Sequence, residues 1–244
     1  MMNERIALVT GANKGIGYEV ARQLGKRGIT ILVGARNETL GSEAAEQLKA
    51  EGVDAKFVPL DVIEQTTIER AAGDIEREFG KLDILINNAG IADMSEATTP
   101  PSQLEIDTLR RIFETNFFGA FKVTKAMLPL VRKSEAGRIV NVSSGLGSLT
   151  QHSDPTWEFY GVKPLAYNSS KTALNAFTVM LAHELKDTAI RVNSADPGFT
   201  ATDLNGHRGY RTVEQGASVI VDLATLPNDG ATGGYFDENG TVPW

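Results

Sequence analysis

The chain has 244 residues, of which 41% are hydrophobic and 23% are charged, values that are typical of an ordinary globular protein with one or two domains. The net charge of −7 argues against nucleic acid or an anionic membrane as a partner, and the absence of cysteine excludes disulfides, zinc–thiolate sites and thiol catalysis. No apolar run could span a bilayer, no signal-peptide pattern opens the sequence and no two histidines have metal-ligand spacing, so we expect a cytoplasmic protein without a metal.

Segments with strand and helix periodicity alternate along the chain. A strand at 5–9, a helix at 18–26 and a strand at 30–33 form one βαβ unit, with parallel strands and a right-handed crossover. The later strands are predicted at 55–60, 82–86, 138–142, 190–195 and about 235–236, and the later helices at 42–50, 66–78, 104–131, around Tyr167 and at 213–225. This pattern predicts a single α/β domain over residues 1–244, a doubly wound parallel sheet of the Rossmann type with helices on both faces.

Glycine or polar residues follow most of the predicted strands. They lie at 11–17, at Asp61, at 87–90, at Ser144 and at 197–198. In doubly wound sheets ligands bind outside the carboxyl ends of the strands, so we expect these residues to share one site.

The turn at 11–17 has glycines at the spacing G-x-x-x-G-x-G between a strand and a helix. Such glycines allow a tight turn and close approach of the backbone to a pyrophosphate, whose charge the helix N-terminus favours. The alternative is a glycine-rich turn without a ligand, but the flanking strand and helix favour a dinucleotide site. Its predicted residues are Gly11, Asn13, Lys14, Gly15, Ile16 and Gly17.

The end of the second strand selects between the two nicotinamide cofactors. An NAD site usually has an acidic residue there for the ribose 2′-hydroxyl, whereas this strand runs into Arg36 and Asn37. Arg36 and Lys14 can both bind a 2′-phosphate, although both could also be solvated surface cations. The sequence therefore favours NADP(H), while Glu38 is close enough to leave NAD open.

Tyr167 and Lys171 are four residues apart, so on a helix they lie on one face, one turn from each other. A fixed positive charge lowers the pKa of a nearby phenol and suits it to proton transfer near neutral pH. The alternative is a half-buried tyrosine beside a solvated lysine, which is favoured for the pattern alone because it is short and its residues are common.

Together, the glycine turn after Thr10, the Asn-Asn-Ala-Gly run at 87–90, Asn116, Ser144, the Tyr167/Lys171 pair and the Pro-Gly at 197–198 resemble the short-chain dehydrogenase/reductase family. These motifs occur in the family's order over residues 10 to about 202. The Asn-Lys-Gly-Ile-Gly turn, the Ala-Arg at 35–36 and the ending Val-Pro-Trp are most similar to the carbonyl reductase branch, which reduces aldehydes and ketones with NADPH.

The resemblance implies a role for each motif. Tyr167 would be the general acid in reduction, Lys171 would lower its pKa and hold the nicotinamide ribose, and Ser144 would bind the substrate carbonyl. Asn116 would hold a water that links Lys171 to solvent, or would otherwise be a satisfied core amide. Further cofactor contacts implied by the resemblance are Asp61 and Val62 at the adenine, Asn88 and Gly90 at the adenosine ribose, and Pro197, Gly198, Thr200 and Thr202 at the nicotinamide.

Some polar residues near these motifs receive a structural interpretation. Adjacent residues of a strand face opposite ways, and the resemblance selects Ser144 over Ser143. His152, in a loop without an evident partner, is predicted to be solvated, as are His183 and His207.

Two segments without clear periodicity flank the expected substrate. Residues 145–166 form an extended loop before the catalytic helix, and Trp157 in it is predicted to line the substrate pocket, with a surface excursion as the alternative. This loop could cover the face through which most family members oligomerise, so a monomer is slightly favoured. Residues 199–212 are a candidate substrate lid.

The leading interpretation is reversible, NADPH-dependent reduction of small carbonyl substrates. One alternative is an NAD-linked alcohol or sugar dehydrogenase of the same family. The other is a catalytically silent nucleotide-sensing protein, which the fold cannot exclude but which need not retain Asn116, Ser144, Tyr167 and Lys171 together.

Overall fold

The central strands of the protein are buried along their whole length because helices cover both faces of the sheet. β1 (Ile6–Thr10), β2 (Thr30–Ala35) and β4 (Ile84–Asn87) are buried at every residue. A computed structural model describes residues 5–244, which form one domain around an eight-stranded sheet. The edge strand β3 (Ala55–Pro59) alternates buried and more exposed residues instead.

The remaining strands complete the sheet on the other side of β4. They are β5 (Arg138–Val142), β6 (Arg191–Ala195), β7 (Tyr235–Asp237) and β8 (Gly240–Thr241). The order is β3-β2-β1-β4-β5-β6-β7-β8, and β8 alone in this sheet of residues 5–244 pairs antiparallel with its neighbour. The chain reverses direction across the sheet between β1 and β4, and this switch point is where a ligand is expected to bind.

Helices pack on both faces of the sheet, as predicted. The helices are α1 (Gly15–Lys26), α2 (Glu38–Ala50), α3 (Gln65–Phe79), α4 (Ile106–Phe113), α5 (Ala120–Val131), α6 (Leu149–His152), α7 (Leu165–Glu184) and α8 (Val213–Ala224). Alternate residues of β1 enter different cores: Ala7 and Val9 pack with α1, α2 and α8, whereas Leu8 packs with α3, α5 and α7. The predicted doubly wound parallel sheet is therefore confirmed.

The long helix predicted at 104–131 consists of α4, a π-helical segment (Glu114–Gly119) and α5. Gly119 lies where a Cβ would be 2.8 Å from Cγ2 of Val62, so this segment packs closely on the loop after β3. Pro129 lies in the last turn of α5, close to the end of the helix.

The stretch after β5 is more regular than predicted. A 3₁₀ turn (Gly145–Gly147) leads into the short helix α6. The hydroxyl of Ser148 accepts from the N–H of Gln151 at 3.1 Å, which is a helix N-cap, and donates to the carbonyl of Pro243 at 2.6 Å. The serine cap therefore supports a helix that is too short to show periodicity in the sequence.

The outer faces of α5 and α7 carry exposed apolar side chains, including Phe121 and Met180, and the latter is 70% exposed. The monomeric state expected from the long 145–166 segment stays a prediction. Within residues 5–244, none of the helices is long and apolar enough to cross a membrane.

Candidate active site

A cavity of about 890 Å³ opens at the carboxyl ends of the central strands. It runs from Arg36, after β2, to Tyr167 and Lys171 on α7. Its wall contains fifteen of the predicted cofactor residues: Gly11, Asn13, Lys14, Gly15, Ile16, Gly17, Arg36, Asp61, Val62, Asn88, Gly90, Tyr167, Lys171, Pro197 and Thr202. The fold thus brings the glycine turn and the tyrosine–lysine pair into one cavity.

The glycine turn between β1 and α1 leaves no room for side chains. Gly11 has φ +66°, and a Cβ there would lie 3.1 Å from Cα of Ala89. A Cβ at Gly17 would lie 2.4 Å from Nδ2 of Asn88, which itself donates to the carbonyls of Thr10 and Gly11. These glycines let the turn pack closely on residues 88–89, and the N-terminus of α1, which has no side-chain cap, lines the cavity as a pyrophosphate site requires.

Cations occupy the end of the cavity next to β2. Arg36 is exposed, lines the cavity and, among the residues that the structure describes, has no hydrogen-bonding partner. Lys14 also lines the cavity, and its Nζ pairs with Oδ2 of Asp203 at 2.6 Å. Glu38, which left NAD open in the sequence, begins α2 outside the cavity wall.

Tyr167 and Lys171 lie one turn apart in α7, next to the end of β5. The Nζ of Lys171 is buried, donates to the carbonyl of Val142 at 2.8 Å and lies 5.7 Å from the centre of the Tyr167 ring. The Ser144 hydroxyl is near enough to Tyr167 for hydrogen bonding to lower the pKa of the phenol. A phenol, a second hydroxyl and a cation are therefore close to one another, an arrangement that can stabilise charge on a carbonyl oxygen.

Burial decides the protonation of this pair. It raises the pKa of Tyr167 to about 12, against the lowering by the Ser144 hydrogen bond, while the carboxylate of Asp196 raises it further. Burial also lowers the pKa of Lys171 to about 8. The lowering of the tyrosine pKa that the sequence spacing predicts is thus not produced by the protein's own groups. The phenol instead holds its proton at neutral pH.

Asn116 is a fully buried amide in the π-helical segment. Its Oδ1 accepts from the N–H of Ile91 at 2.8 Å, and its Nδ2 donates to the carbonyl of Ile91 and to Oγ of Ser170. A Cβ at Gly90 would lie 3.4 Å from Asn116 Oδ1 and 3.6 Å from Lys171 Nζ. The amide is satisfied by protein groups, as in the alternative interpretation, and its water-holding role stays a prediction.

Two of the residues expected at the nicotinamide lie outside the cavity wall. Thr200 is buried, its hydroxyl donates to the carbonyl of Pro197 at 3.0 Å, and its methyl group packs against Gly216. Gly198 has φ +69° and its N–H donates to Asp196. These two residues shape the turn after β6, and the expectation that Gly198 and Thr200 border the nicotinamide stays a prediction.

Aromatic rings connect the two irregular segments. Edge-to-face contacts run from His152 to Trp157 (5.1 Å between ring centres), Phe159 (5.5 Å), Phe199 (6.0 Å) and Tyr210 (6.0 Å). This aromatic row joins residues 145–166 to residues 199–212. Trp157 lies outside the wall of the large cavity but packs next to Gly145, where a Cβ would be 3.6 Å from its Cζ2.

His152 is not solvated as predicted. It is half-buried, its Nε2 lies 2.9 Å from the carbonyl of Leu146 and 3.0 Å from Nδ2 of Asn168, and its Nδ1 lies 3.1 Å from Nζ of Lys163. Burial lowers its pKa, which favours the neutral ring. Its partners come from α7 and the preceding loop, so the sequence around it gave no sign of them. His183 and His207 are exposed as predicted, and His207 pairs with Asp203.

Several residues next to the site were missed in the sequence. Glu96 is 2% exposed, and its carboxylate accepts from the N–H of Ala166 at 2.6 Å, at the start of the helix that carries Tyr167. Asp203 pairs with Lys14, and Leu204 and His207 also line the cavity. Glu96 and Asp203 have no local pattern, because each pairs with a residue far away in the chain.

Comparison with known proteins adds three findings. The model of the short chain dehydrogenase family matches residues 5–212. A (+)-neomenthol dehydrogenase of Capsicum annuum is 32% identical over 95% of both chains, and a carbonyl reductase [NADPH] 3 of Rattus norvegicus is 36% identical over 92% of both chains. The structure of NADPH-bound carbonyl reductase from chicken fatty liver superposes with a TM-score of 0.85, at 25% identity over 99% of both chains.

The alignment with the Capsicum annuum enzyme spans 303 positions, more than the 244 residues of this chain, so that relative contains insertions that this chain lacks. The resemblance inferred from the motifs is confirmed by the family match and by these relatives.

Proposed function

We propose that this chain, which belongs to the short-chain dehydrogenase family and has a carbonyl reductase among its relatives, reduces aldehydes and ketones to alcohols with NADPH. One observation carries the proposal: Tyr167 and the buried Lys171 line the same cavity as the glycine turn, and the hydroxyl of Ser144 is near enough to lower the pKa of Tyr167. A dinucleotide in this cavity and a carbonyl beside the two hydroxyls would be neighbours.

The cavity fits a dinucleotide in size and chemistry. The glycine turn leads into a helix N-terminus that has no side-chain cap and lines the cavity, which favours a pyrophosphate. Asp61 and Val62 line the end next to β2, and Tyr167, Lys171 and Pro197 line the other end. When bound, the nicotinamide supplies the hydride for the carbonyl carbon.

The choice of NADPH rests on the cations at the end of the cavity next to β2. Arg36 has a free guanidinium that can bind a 2′-phosphate with two hydrogen bonds, and Lys14 faces the same opening. Among the described residues of the cavity wall, those that directly follow β2 are Arg36, Asn37 and Leu40, without a carboxylate for a 2′-hydroxyl, since Glu38 lies outside the wall. The NADPH in the chicken fatty liver reductase supports this choice.

In the proposed mechanism the chain's own groups handle the oxygen of the substrate. The Ser144 hydroxyl donates a hydrogen bond to the carbonyl oxygen and stabilises the charge that develops there. Tyr167 donates its proton to the same oxygen, so the product leaves as an alcohol. Lys171, buried next to the resulting phenolate, stabilises it until a proton returns from solvent.

The test has two parts. Titration of cofactor fluorescence compares NADPH with NADH, and consumption of NADPH is followed with a panel of ketones and aldehydes. We expect tighter binding of NADPH, turnover of a carbonyl, and loss of turnover in Tyr167→Phe with NADPH binding retained. Preference for NADH would contradict the assignment of Arg36 and Lys14, and unchanged turnover in Tyr167→Phe would refute the mechanism.

A further inference from the structure

The phenol of Tyr235, in β7, reaches the loop that follows β5. Tyr235 is 1% exposed, and its hydroxyl donates to the carbonyl of Ser144. Its ring is stacked on the ring of Trp244, with 5.4 Å between the ring centres and 20° between the planes. The N–H of Val242 also donates to the carbonyl of Tyr235 at 2.8 Å. Ring stacking and backbone pairing thus fix the direction from which the phenol approaches Ser144.

The segment that carries Tyr235 holds the same loop at two further points. The Ser148 hydroxyl donates to the carbonyl of Pro243 at 2.6 Å, and the N–H of Thr150 donates to the main-chain oxygen of Trp244 at 2.9 Å. Both donors lie at the start of α6. Two residues of the Val-Pro-Trp ending, which have no part in the proposed reaction, therefore hold the loop in place.

Helix α7 contacts the loop as well. The hydroxyl of Thr172 donates to the carbonyl of Gly147 at 2.9 Å, and a Cβ at Gly147 would lie 3.0 Å from Cβ of Lys171. The loop is therefore packed against both the segment of Tyr235 and the helix that carries the catalytic pair. A shift of the loop would move Ser144 relative to that pair.

Tyr235 is the donor that ties the turn of Ser144 to the sheet. The carbonyl of Ser144 also accepts from the N–H of Gly147 at 2.7 Å, but that bond lies within the turn and moves with it. The Oγ of Ser144 accepts from the N–H of Leu146 at 3.3 Å, so the hydrogen of the hydroxyl remains available to a further acceptor. By fixing the turn, Tyr235 fixes the direction in which Ser144 can donate.

We propose that Tyr235, backed by Trp244, is a positioning residue that keeps the Ser144 hydroxyl directed at the carbonyl oxygen of the substrate. Ser144 stabilises charge on that oxygen only where its hydroxyl points at it, so a shift of the turn lowers turnover. Neither aromatic residue lines the large cavity, so both act through Ser144 and not by contact with the cofactor. The inference rests on the proposed function, because it assigns Tyr235 a role in the same reaction.

The decisive variant is Tyr235→Phe, which removes only the hydroxyl and keeps the ring that stacks on Trp244. We expect kcat for ketone reduction to fall about tenfold, with the Kd for NADPH within about twofold of that of the parent protein. In a Ser144→Ala background the same change should lower kcat by less than about twofold, because the residue through which Tyr235 acts is gone. Single turnovers with enzyme in excess of substrate follow this slower reaction.

A control variant tests whether the loss of a phenolic hydroxyl is harmful in itself. Tyr160→Phe makes the same chemical change in a tyrosine that is 41% exposed, so kcat should stay near that of the parent protein. If Tyr235→Phe does not fold, Trp244→Ala takes its place, because this side chain is 40% exposed and its loss removes the stacking partner of Tyr235.

Hydrogen exchange measures the attachment of the loop without any turnover. The amides of residues 145–150 should exchange faster in Tyr235→Phe than in the parent protein, because the turn has lost its bond to the sheet. The amides of α1 should exchange as in the parent protein, and Tyr160→Phe should leave both segments unchanged.

An unchanged kcat in Tyr235→Phe, or an equal loss of kcat with and without Ser144, overturns the positioning role. Unchanged exchange at residues 145–150 overturns the attachment. Failure of the proposed function is a separate outcome, which would appear as absent carbonyl turnover in the parent protein or as full activity in Tyr167→Phe. Either result would overturn this inference together with the proposed function, whatever the exchange of the loop.

Discussion

The ammonium of Lys14 lies 2.6 Å from Oδ2 of Asp203, so an ion pair joins the glycine turn to residues 199–212 across the mouth of the cavity. Both side chains are more than half exposed, and an exposed pair of this kind is weak. A phosphate on the ribose could therefore take the place of Asp203 as the partner of Lys14. The same exchange would release residues 199–212, the candidate lid.

If Asp203 and the 2′-phosphate of NADPH compete for Lys14, removing the charge of Asp203 should improve the binding of NADPH. In Asp203→Asn the ammonium of Lys14 loses its partner and the repulsion between Asp203 and a 2′-phosphate disappears, so we expect the Kd for NADPH to fall about threefold. The Kd for NADH, which lacks the phosphate, should not change. Fluorescence titration at low ionic strength measures both, with Asp107→Asn on α4 as a control for an exposed, paired aspartate. An equal fall in the Kd for NADH would show that Asp203 and the 2′-phosphate do not compete for Lys14.

Arg36 should supply most of the preference for the phosphate, because its guanidinium is free and lines the cavity. Loss of a charge-assisted, two-bond contact predicts that Arg36→Ala raises the Kd for NADPH by about ten- to a hundredfold. The Kd for NADH should stay within twofold. Arg70→Ala, in an exposed arginine on α3, is the matched control. If the Kd rises equally for NADPH and NADH, Arg36 stabilises the turn and does not bind the 2′-phosphate.

The buried ammonium of Lys171 makes stability depend on pH. Burial lowers its pKa from 10.5 to about 8 in the folded protein, so between these values the unfolded chain binds the extra proton. Stability due to this group therefore rises as the pH increases through that window. Compared with Lys171→Met, the parent protein should gain about 2 kcal/mol in free energy of unfolding between pH 7 and pH 10.

Urea unfolding of both proteins at several pH values measures this difference. Above pH 10 the raised pKa of Tyr167 works in the opposite direction, since the folded state then keeps a proton that the unfolded chain loses. The comparison is therefore confined to pH 7–10. A difference that does not vary with pH would show that the ammonium is not desolvated.

Glu96 should stabilise the helix that carries Tyr167. Its carboxylate accepts from the N–H of Ala166 in the first turn of α7, where the helix dipole favours a negative charge. We expect Glu96→Ala to lower the free energy of unfolding by about 1 to 3 kcal/mol and to reduce kcat, because the first turn holds Tyr167. Glu96→Gln, which keeps an acceptor oxygen, should lose less stability and less activity than Glu96→Ala.

Chemical denaturation and turnover of the Glu96 variants are compared with Glu69→Ala, a change at an exposed position of α3 that should stay within about 0.5 kcal/mol of the parent. If Glu96→Ala is as stable as Glu69→Ala, the hydrogen bond from the Ala166 N–H to Glu96 does not stabilise the protein.

Local patterns in the sequence were sufficient for the fold and for most of the cavity wall. The alternation of strands and helices predicted the parallel sheet, because each period reports which faces of a segment are buried. The glycine spacing at 11–17 predicted a turn that the structure leaves without room for side chains at Gly11 and Gly17. The four-residue spacing of Tyr167 and Lys171 placed them one turn apart because a helix fixes that geometry.

The tertiary structure alone decided what depends on distant contacts and on burial. The periodicity of the sequence does not specify that the Tyr235 phenol donates to the carbonyl of Ser144, or that Asp203 pairs with Lys14. The pKa of Tyr167 rises where its spacing from Lys171 predicts a fall, because burial penalises the charged phenolate more strongly than local groups compensate. The sequence by itself determined which chemical groups lie at the edge of the sheet. Packing between remote segments determined their partners, their exposure and their protonation.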